Sequence, residues 1–400
     1  MRPTDFAYPL PLGLIAQTPA PQRDQSRLLV VHRAERRFEH RRFSDLLEYL
    51  RPGDAVVLND SRVIPARLRG VKPSTGGHVE TLLVEEQARN EWWVRLRPGR
   101  RVRAGTRLVF LPGTASGESA DTAVISGTGA AGAGRSLAVL MATVLAKDAD
   151  GRCLLRFTGI EDLRAALEDY GEVPLPPYVE RAEGPTVEDR ERYQTVFARR
   201  PGSVAAPTAG LHFTEALLVR LRVQGVRVCF VTLHVGSATF APVKAGRVED
   251  HVMHEEMFEL PAAAAAAVNA AKREGRRVLA VGTTTTRVLE TVAAGTLCGE
   301  GKTTGRVVAA RVLGPGDSTP PPLRPCRGRT RAFIYPPFCF RIVNGLLTNF
   351  HLPQSTLLML VSAFAAPGET RGRDLALAAY AEAARERYRF YSYGDAMLLL

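Results

Sequence analysis

Four of the eight histidines, His212, His234, His251 and His254, fall within 43 residues. They occupy Ala206-Pro207-Thr208-Ala209-Gly210-Leu211-His212-Phe213, Thr232-Leu233-His234-Val235-Gly236 and Glu249-Asp250-His251-Val252-Met253-His254-Glu255, between short apolar runs and glycines. Imidazole is the side chain that exchanges protons near neutrality, so this density points to proton transfer or a polar ligand. A second group follows a buried run: Val281-Gly282-Thr283-Thr284-Thr285-Thr286-Arg287. Free N–H groups at a helix start attract anions and ligand oxygens. Simple capping needs one hydroxyl rather than four, so the segment reads as a ligand loop. Asn349-Phe350-His351-Leu352-Pro353 leads into an apolar helix, and Asn59, Arg62 and Arg67 lie in Asn59-Asp60-Ser61-Arg62-Val63-Ile64-Pro65-Ala66-Arg67. These polar residues are candidates for a cleft.

Other chemistries fit poorly. His251-x-x-His254-Glu255 is not the H-E-x-x-H zinc helix, and no cysteine cluster supports it, so no metal is expected. Gly127-x-Gly129-x-x-Gly132 matches a dinucleotide fingerprint in letters only, because it lies in a Gly/Ala-rich stretch without a strand–turn–helix context. The G-x-S-x-G elbow of α/β-hydrolases is missing.

The elements that must hold these residues follow from periodicity. Between 61 and 159 short apolar or alternating runs, Val63–Leu68, Val79–Val84, Trp92–Leu96, Arg107–Leu111, Leu137–Leu145 and Cys153–Phe157, are split by Gly/Pro turns and predict a small β-barrel. The Gly/Ala/Ser-rich stretch at about 112–136 reads as a flexible insertion. Elsewhere helices alternate with strands: Glu161–Asp169, Thr214–Gln224, Pro261–Glu274, Thr284–Ala293, Ser355–Ala365 and Arg373–Arg389 as helices; Ala55–Leu58, Val226–Leu233, Arg277–Val281 and Ala332–Tyr335 as strands. That alternation predicts an α/β fold, a mixed sheet with helices on both faces. The expected organisation is a discontinuous α/β catalytic domain, 1–60 and 160–400, with a β-barrel inserted at 61–159.

The chain has 400 residues and a formal net charge of +12. Eleven basic and five acidic residues lie between Asp60 and Leu111, with Arg95, Arg97, Arg100, Arg101, Arg103 and Arg107 close to Trp92 and Trp93. Such a patch suits a phosphate backbone. Apolar runs are too short for the ~18–20 residues that cross a bilayer. The N-terminus carries no charged-then-apolar leader. The five scattered cysteines suggest a reducing cytoplasm. No protein partner is evident, and monomer is the default expectation.

Together these segments resemble the S-adenosylmethionine:tRNA ribosyltransferase-isomerase family of queuosine biosynthesis. The blocks that carry the resemblance run from Thr4-Asp5-Phe6 through N-D-S-R-V-I-P-A-R, P-L-P-P-Y, A-P-T-A-G-L-H-F, T-L-H-V-G, E-D-H-V-M-H-E, V-G-T-T-T-T-R-V-L-E and T-N-F-H-L-P-Q-S-T to Arg389-Phe390-Tyr391-Ser392-Tyr393-Gly394-Asp395. Ser61, Ser237, Thr285, Pro337 and Asn344 depart from the family pattern, while the histidines and Arg287 are kept.

The resemblance implies transfer and isomerisation of the ribosyl part of S-adenosylmethionine onto a 7-aminomethyl-7-deazaguanine base at the tRNA wobble position. Epoxyqueuosine forms, and adenine and methionine leave. S-adenosylmethionine is then a co-substrate, and no cofactor is implied. The chemistry needs a base for a C5′ proton, an acid for adenine, and donors for developing oxyanions. Fitting those demands to the residues makes His212, His234 and His254 the catalytic candidates. Thr283, Thr284 and Arg287 bind S-adenosylmethionine, Asn349 and His351 complete the pocket, Asn59 is a further substrate-binding candidate, and Arg62 and Arg67 meet the modified base or its phosphates. Arg97, Arg100 and Arg101, with Trp92 and Trp93, hold the anticodon arm. The rival readings are an S-adenosylmethionine-dependent tRNA methyltransferase and a non-catalytic tRNA-binding protein.

Overall fold

A computed structural model describes residues 1–100, 102–110, 112, 139–236, 243, 245–295 and 322–400. The chain forms two compact units. One comprises Met1–Arg62, Pro176–Glu180 and Gln194–Leu400; the other comprises Val63–Leu175 and Arg181–Tyr193. Helix Leu163–Tyr170 therefore packs with the smaller unit.

The larger unit is built on a nine-stranded mixed sheet. Strands Arg227–Leu233, Ala55–Asn59, Val278–Val281 and Gly345–Asn349 run parallel at its centre. Ala396–Leu399 is antiparallel to Gly345–Asn349 and parallel to Arg27–His32. Glu256–Leu260 with Cys326–Thr330 extends one side, and Arg37–Arg42 forms the opposite edge. The central strands read as unbroken apolar runs because both faces are covered. Successive residues confirm it: Ala55 and Val57 enter one core with Val278, Ala280 and Leu346, while Val56 and Leu58 enter another with Leu279, Val281 and Leu347. Helices Ala262–Arg273, Thr283–Ala293, Thr356–Ala365 and Gly372–Arg385 bury side chains in the first core, and Glu215–Val223 in the second. The expected α/β sheet with helices on both faces is the one observed.

Glycines end two helices as their sequence positions imply. Gly225 and Gly275 have φ of 83° and 65°, a left-handed turn that favours glycine. Ala332–Tyr335, expected as a strand, is irregular. The strand lies just before it at Cys326–Thr330, and the Thr330 hydroxyl accepts from the Ala332 N–H (3.0 Å), which ends the ladder.

The smaller unit is a closed barrel of six antiparallel strands: Arg67–Val71, His78–Ala88, Glu91–Arg97, Cys153–Thr158, Leu140–Lys147 and Arg107–Phe110. Closure pairs Gly70 with Phe110 and Val71 with Val109. A Cβ on Gly70 would lie 2.4 Å from the Val109 carbonyl oxygen, so only glycine permits this approach. The expected strand Val63–Leu68 divides into Ser61–Val63 and Arg67–Val71 around Pro65, which lacks a ladder N–H. The 112–136 insertion lies, apart from Pro112, outside the described residues.

Candidate active site

The larger unit carries a pocket at the carboxyl ends of its parallel strands, where open α/β sheets bind ligands. Three segments build it. Gly282 leaves strand Val278–Val281 with φ 87° and opens helix Thr283–Ala293 with no side-chain cap. Its N–H donates to the Leu347 carbonyl (2.7 Å), which holds the helix start against the end of strand Gly345–Asn349. That strand delivers Thr348 and Asn349 to the pocket, and the chain continues through His351 to Ser355, the N-cap of the next helix. The third wall comes from Ala205–Ala209. Tyr178, Tyr391 and Ser392 complete the lining, with the Tyr178 hydroxyl 2.7 Å from the Ser392 hydroxyl. Among the described residues the lining contains no Lys, Arg, Asp or Glu.

The four threonines divide into two pairs. Thr283 and Thr284 line the pocket. The Thr285 and Thr286 hydroxyls donate back to the Val281 and Gly282 carbonyls (2.8 and 3.2 Å) and face the core. Helical periodicity makes the difference, since four consecutive residues cannot share one face. Two hydroxyls and the uncapped N–H groups of the first turn are thus offered to a ligand.

Asn349 is the most constrained polar group here. Its Nδ2 donates to the Tyr391 carbonyl (3.1 Å) and to His212 Nε2 (3.2 Å). The Tyr391 carbonyl needs the Nδ2 donor opposite it, so His212 Nε2 accepts from Asn349 and Nδ1–H donates to the Ser26 hydroxyl (2.7 Å). His212 is thereby fixed as the Nδ1–H tautomer, with Nε2 accepting. The arrangement leaves Asn349 Oδ1 buried and without a partner among the described residues. Such an orphan acceptor is costly unless something supplies a donor. Tyr391 contributes to the same knot with φ 71°, a strained conformation for a tyrosine, held by its N–H to the Phe350 carbonyl (3.1 Å) and its carbonyl to Asn349. Strain of this kind concentrates at ligand sites.

His212 was expected in the reaction site and instead lies beneath it. Its ring stacks on Phe43 with 5.0 Å between centroids. Burial, aided by the Arg389 and Arg23 charges, pulls its pKa down to about 3, so it is neutral. Nor do His234 and His254 line the pocket. The His234 ring lies against Gly202, where a Cβ would be 3.0 Å away, with Nδ1 3.2 Å from the Ser61 hydroxyl. His254 is exposed and His251 half-buried; burial lowers the His251 pKa, and the nearby His254 lowers it further. His351 alone among the histidines lines the pocket. Its Nε2 is 2.8 Å from the Thr348 hydroxyl, and burial pulls its pKa down to about 3.

Arg287 does not reach the pocket either. It forms a buried ion pair with Glu256 and donates Nε to the Ala332 carbonyl (2.9 Å). Glu256 also accepts from the Gly236 N–H (3.1 Å). Asn59 is consumed as a clamp: its Oδ1 accepts from the Ser61 and Leu233 N–H groups, and its Nδ2 donates to the Leu233 carbonyl and to Thr284 Oγ1 (3.3 Å). It therefore places Thr284. Arg62 is exposed. Arg67, in the barrel unit, donates to the Leu175 carbonyl (3.2 Å) and lies 3.7 Å from Glu80. Arg97 and Arg100 are exposed on the barrel unit, and Arg101 lies outside the described residues. Trp92 is barrel core at 3 % exposure, so it is unavailable for stacking on a base. The expectation that it would join Trp93 in holding RNA fails because strand alternation turns Trp92 inward.

Tyr178, Ser355, Tyr391 and Ser392 went unassigned in the sequence because nothing in their spacing marks them; they sit within blocks of the resemblance and meet only in the folded chain.

A family model described as queuosine biosynthesis protein matches residues 3–399. The chain belongs to this family. It is 46% identical over 100% of both chains to the S-adenosylmethionine:tRNA ribosyltransferase-isomerase of Carboxydothermus hydrogenoformans. It is 49% identical to the protein of that name from Thermus thermophilus, over 99% of this chain and 98% of that one. A crystal structure of S-adenosylmethionine tRNA ribosyltransferase from Thermotoga maritima is 36% identical, with a TM-score of 0.50, covering 99% of this chain and 100% of that chain. The family resemblance read from the sequence blocks is thus established over the whole length.

Proposed function

We propose that this chain is an S-adenosylmethionine:tRNA ribosyltransferase-isomerase. It moves the ribosyl unit of S-adenosylmethionine onto a 7-aminomethyl-7-deazaguanine at the tRNA wobble position, forms epoxyqueuosine, and releases adenine and methionine. The observation that carries the reading is near-half identity, across the full length, to relatives bearing that name. The pocket of the larger unit is the S-adenosylmethionine site. It offers two threonine hydroxyls, a helix start and an amide acceptor among further hydroxyls and apolar side chains. Water exclusion there strengthens each polar contact made to the reacting sugar. His351 meets the reacting sugar as a neutral hydrogen-bonding group, because it lines the pocket and burial holds its ring uncharged. His212 orients Asn349, and Thr348 orients His351.

The RNA is held by exposed arginines of the barrel unit, Arg97 and Arg100 among them, and by Arg62, through phosphate contacts. No described helix is long and apolar enough to cross a membrane. The reaction consumes tRNA, so the cytoplasm is its place. The test combines purified protein, S-adenosylmethionine and tRNA bearing the 7-aminomethyl-7-deazaguanine base, followed by mass spectrometry of nucleosides and small products. Epoxyqueuosine with free adenine and methionine is the expected result. S-adenosylhomocysteine with a methylated nucleoside would replace this reading with a methyltransferase, and tRNA binding without any turnover would reduce the chain to an RNA-binding protein.

A further inference from the structure

We infer that the pocket grips the α-amino-acid end of S-adenosylmethionine as a zwitterion, its carboxylate on the first turn of helix Thr283–Ala293 and its ammonium on Asn349 Oδ1. This rests on the reading that S-adenosylmethionine is the co-substrate. Two independent observations carry it, one for each charge.

The first is the helix start. Gly282 caps the helix with no side-chain acceptor, so the N–H groups that follow lack the usual intrahelical and capping partners. The Thr283 and Thr284 side chains line the same space. This end of a helix attracts an anion, and among the described residues no cationic side chain in the lining competes for it.

The second is Asn349. The side chain is 2 % exposed, lines the pocket and leaves Oδ1 without a partner among the described residues. The amide cannot rotate end for end without cost. The Tyr391 carbonyl requires a donor opposite it, and His212 Nε2 accepts from the same Nδ2. A flip would set oxygen against the Tyr391 carbonyl. The pocket therefore shows a fixed acceptor, which selects a ligand donor. An ammonium gives the stronger, charge-assisted bond.

The sheet brings the two halves together. Val281 is in register with Leu347 on adjacent parallel strands, and Thr283 and Asn349 each lie two residues beyond that pair. Neighbouring strands are ~4.8 Å apart, a span suited to the two charged groups on one α-carbon. A ribose or adenine would satisfy either half, but neither offers an anion and a cation side by side.

The experiment measures affinity by calorimetry for S-adenosylmethionine and for its decarboxylated analogue, with the free enzyme and with its tRNA complex. Wild type should bind the analogue at least ten-fold more weakly. Thr283→Pro removes one N–H at a position where helices accept proline. It should weaken S-adenosylmethionine ten-fold and leave the analogue unchanged, whereas Thr283→Val, which keeps the N–H, should preserve the discrimination. Asn349→Leu should weaken both ligands, and free methionine should lose its ability to compete. Equal binding of the two ligands by wild type, with adenine and methionine still released in the product assay, would overturn this inference and leave the proposed activity standing. Competition by adenine but not by methionine would turn the ligand end for end and overturn it too. An absence of S-adenosylmethionine binding in both forms, with no product, would remove the proposed activity and this inference together.

Discussion

Acidification should loosen the larger unit through two histidines that cannot charge in place. His212 and His351 are both buried, and burial draws each pKa to about 3. In the unfolded chain each returns to an ordinary value of ~6.5. A depressed folded value means that the unfolded state takes up the proton first. Their contribution is complete above pH 6.5 and is lost progressively as pH falls from 6.5 toward 3. At pH 5 the unfolded state gains about 1.5 pH units of protonation per ring, which is about 2 kcal/mol for each histidine and about 4 for the pair. The assay is urea unfolding at pH 7.5 and pH 5.0, followed by circular dichroism, for wild type, His212→Gln and His351→Gln. Both tryptophans belong to the barrel unit, so tryptophan fluorescence follows that unit in the same samples. Each variant will be less stable at neutral pH because its hydrogen bonds are lost. The informative quantity is the change between the two pH values, which should shrink by about 2 kcal/mol in either variant. Acid slopes equal to the wild-type slope in both variants would refute the argument. So would ring resonances of either histidine in carbon-13 spectra that titrate near pH 6.5.

Three further outcomes follow from the geometry. Glu290 is fully buried, burial raises its pKa, and its carboxylate accepts from the Arg341, Ile342 and Val343 N–H groups at 2.8, 3.0 and 3.0 Å; Glu290→Ala should cost at least about 3 kcal/mol in urea unfolding by leaving three N–H groups unpaired. His351→Gln should lower kcat by ten-fold or more with KM for S-adenosylmethionine nearly unchanged, while His212→Phe, which frees the Asn349 amide, should act mainly on KM; steady-state kinetics with both substrates separates the two, and equal effects on kcat would place His212 against the reacting sugar. Arg97→Glu with Arg100→Glu should weaken tRNA binding at least ten-fold and flatten the slope of log K against log salt by roughly one to two, as filter binding at several salt concentrations would show; an unchanged slope moves the RNA to another surface.

The sequence by itself determined the classes of element and the family. Period-two runs split by glycine and proline pointed to a small barrel, and the continuous apolar runs Ala55–Leu58 and Val278–Val281 to buried strands, which the sheet places at its centre. The ordered motif blocks carried the chemistry. Short strands hidden in polar contexts were not legible: Arg37–Arg42 is an edge strand of mostly charged residues whose ladder pairs with Arg27–His32. The pocket itself was only half legible. Thr283, Thr284, Asn349 and His351 were found because polar residues after a buried strand stand out. Tertiary structure decided the rest, because burial and partner choice are set across hundreds of residues of sequence. It turned Thr285 and Thr286 inward, closed Arg287 onto Glu256, and spent Asn59 on a strand end. It also put His212 under the site. A histidine in a sequence announces that a proton can be exchanged; the burial of this ring and the two partners on its nitrogens make it a neutral brace for Asn349.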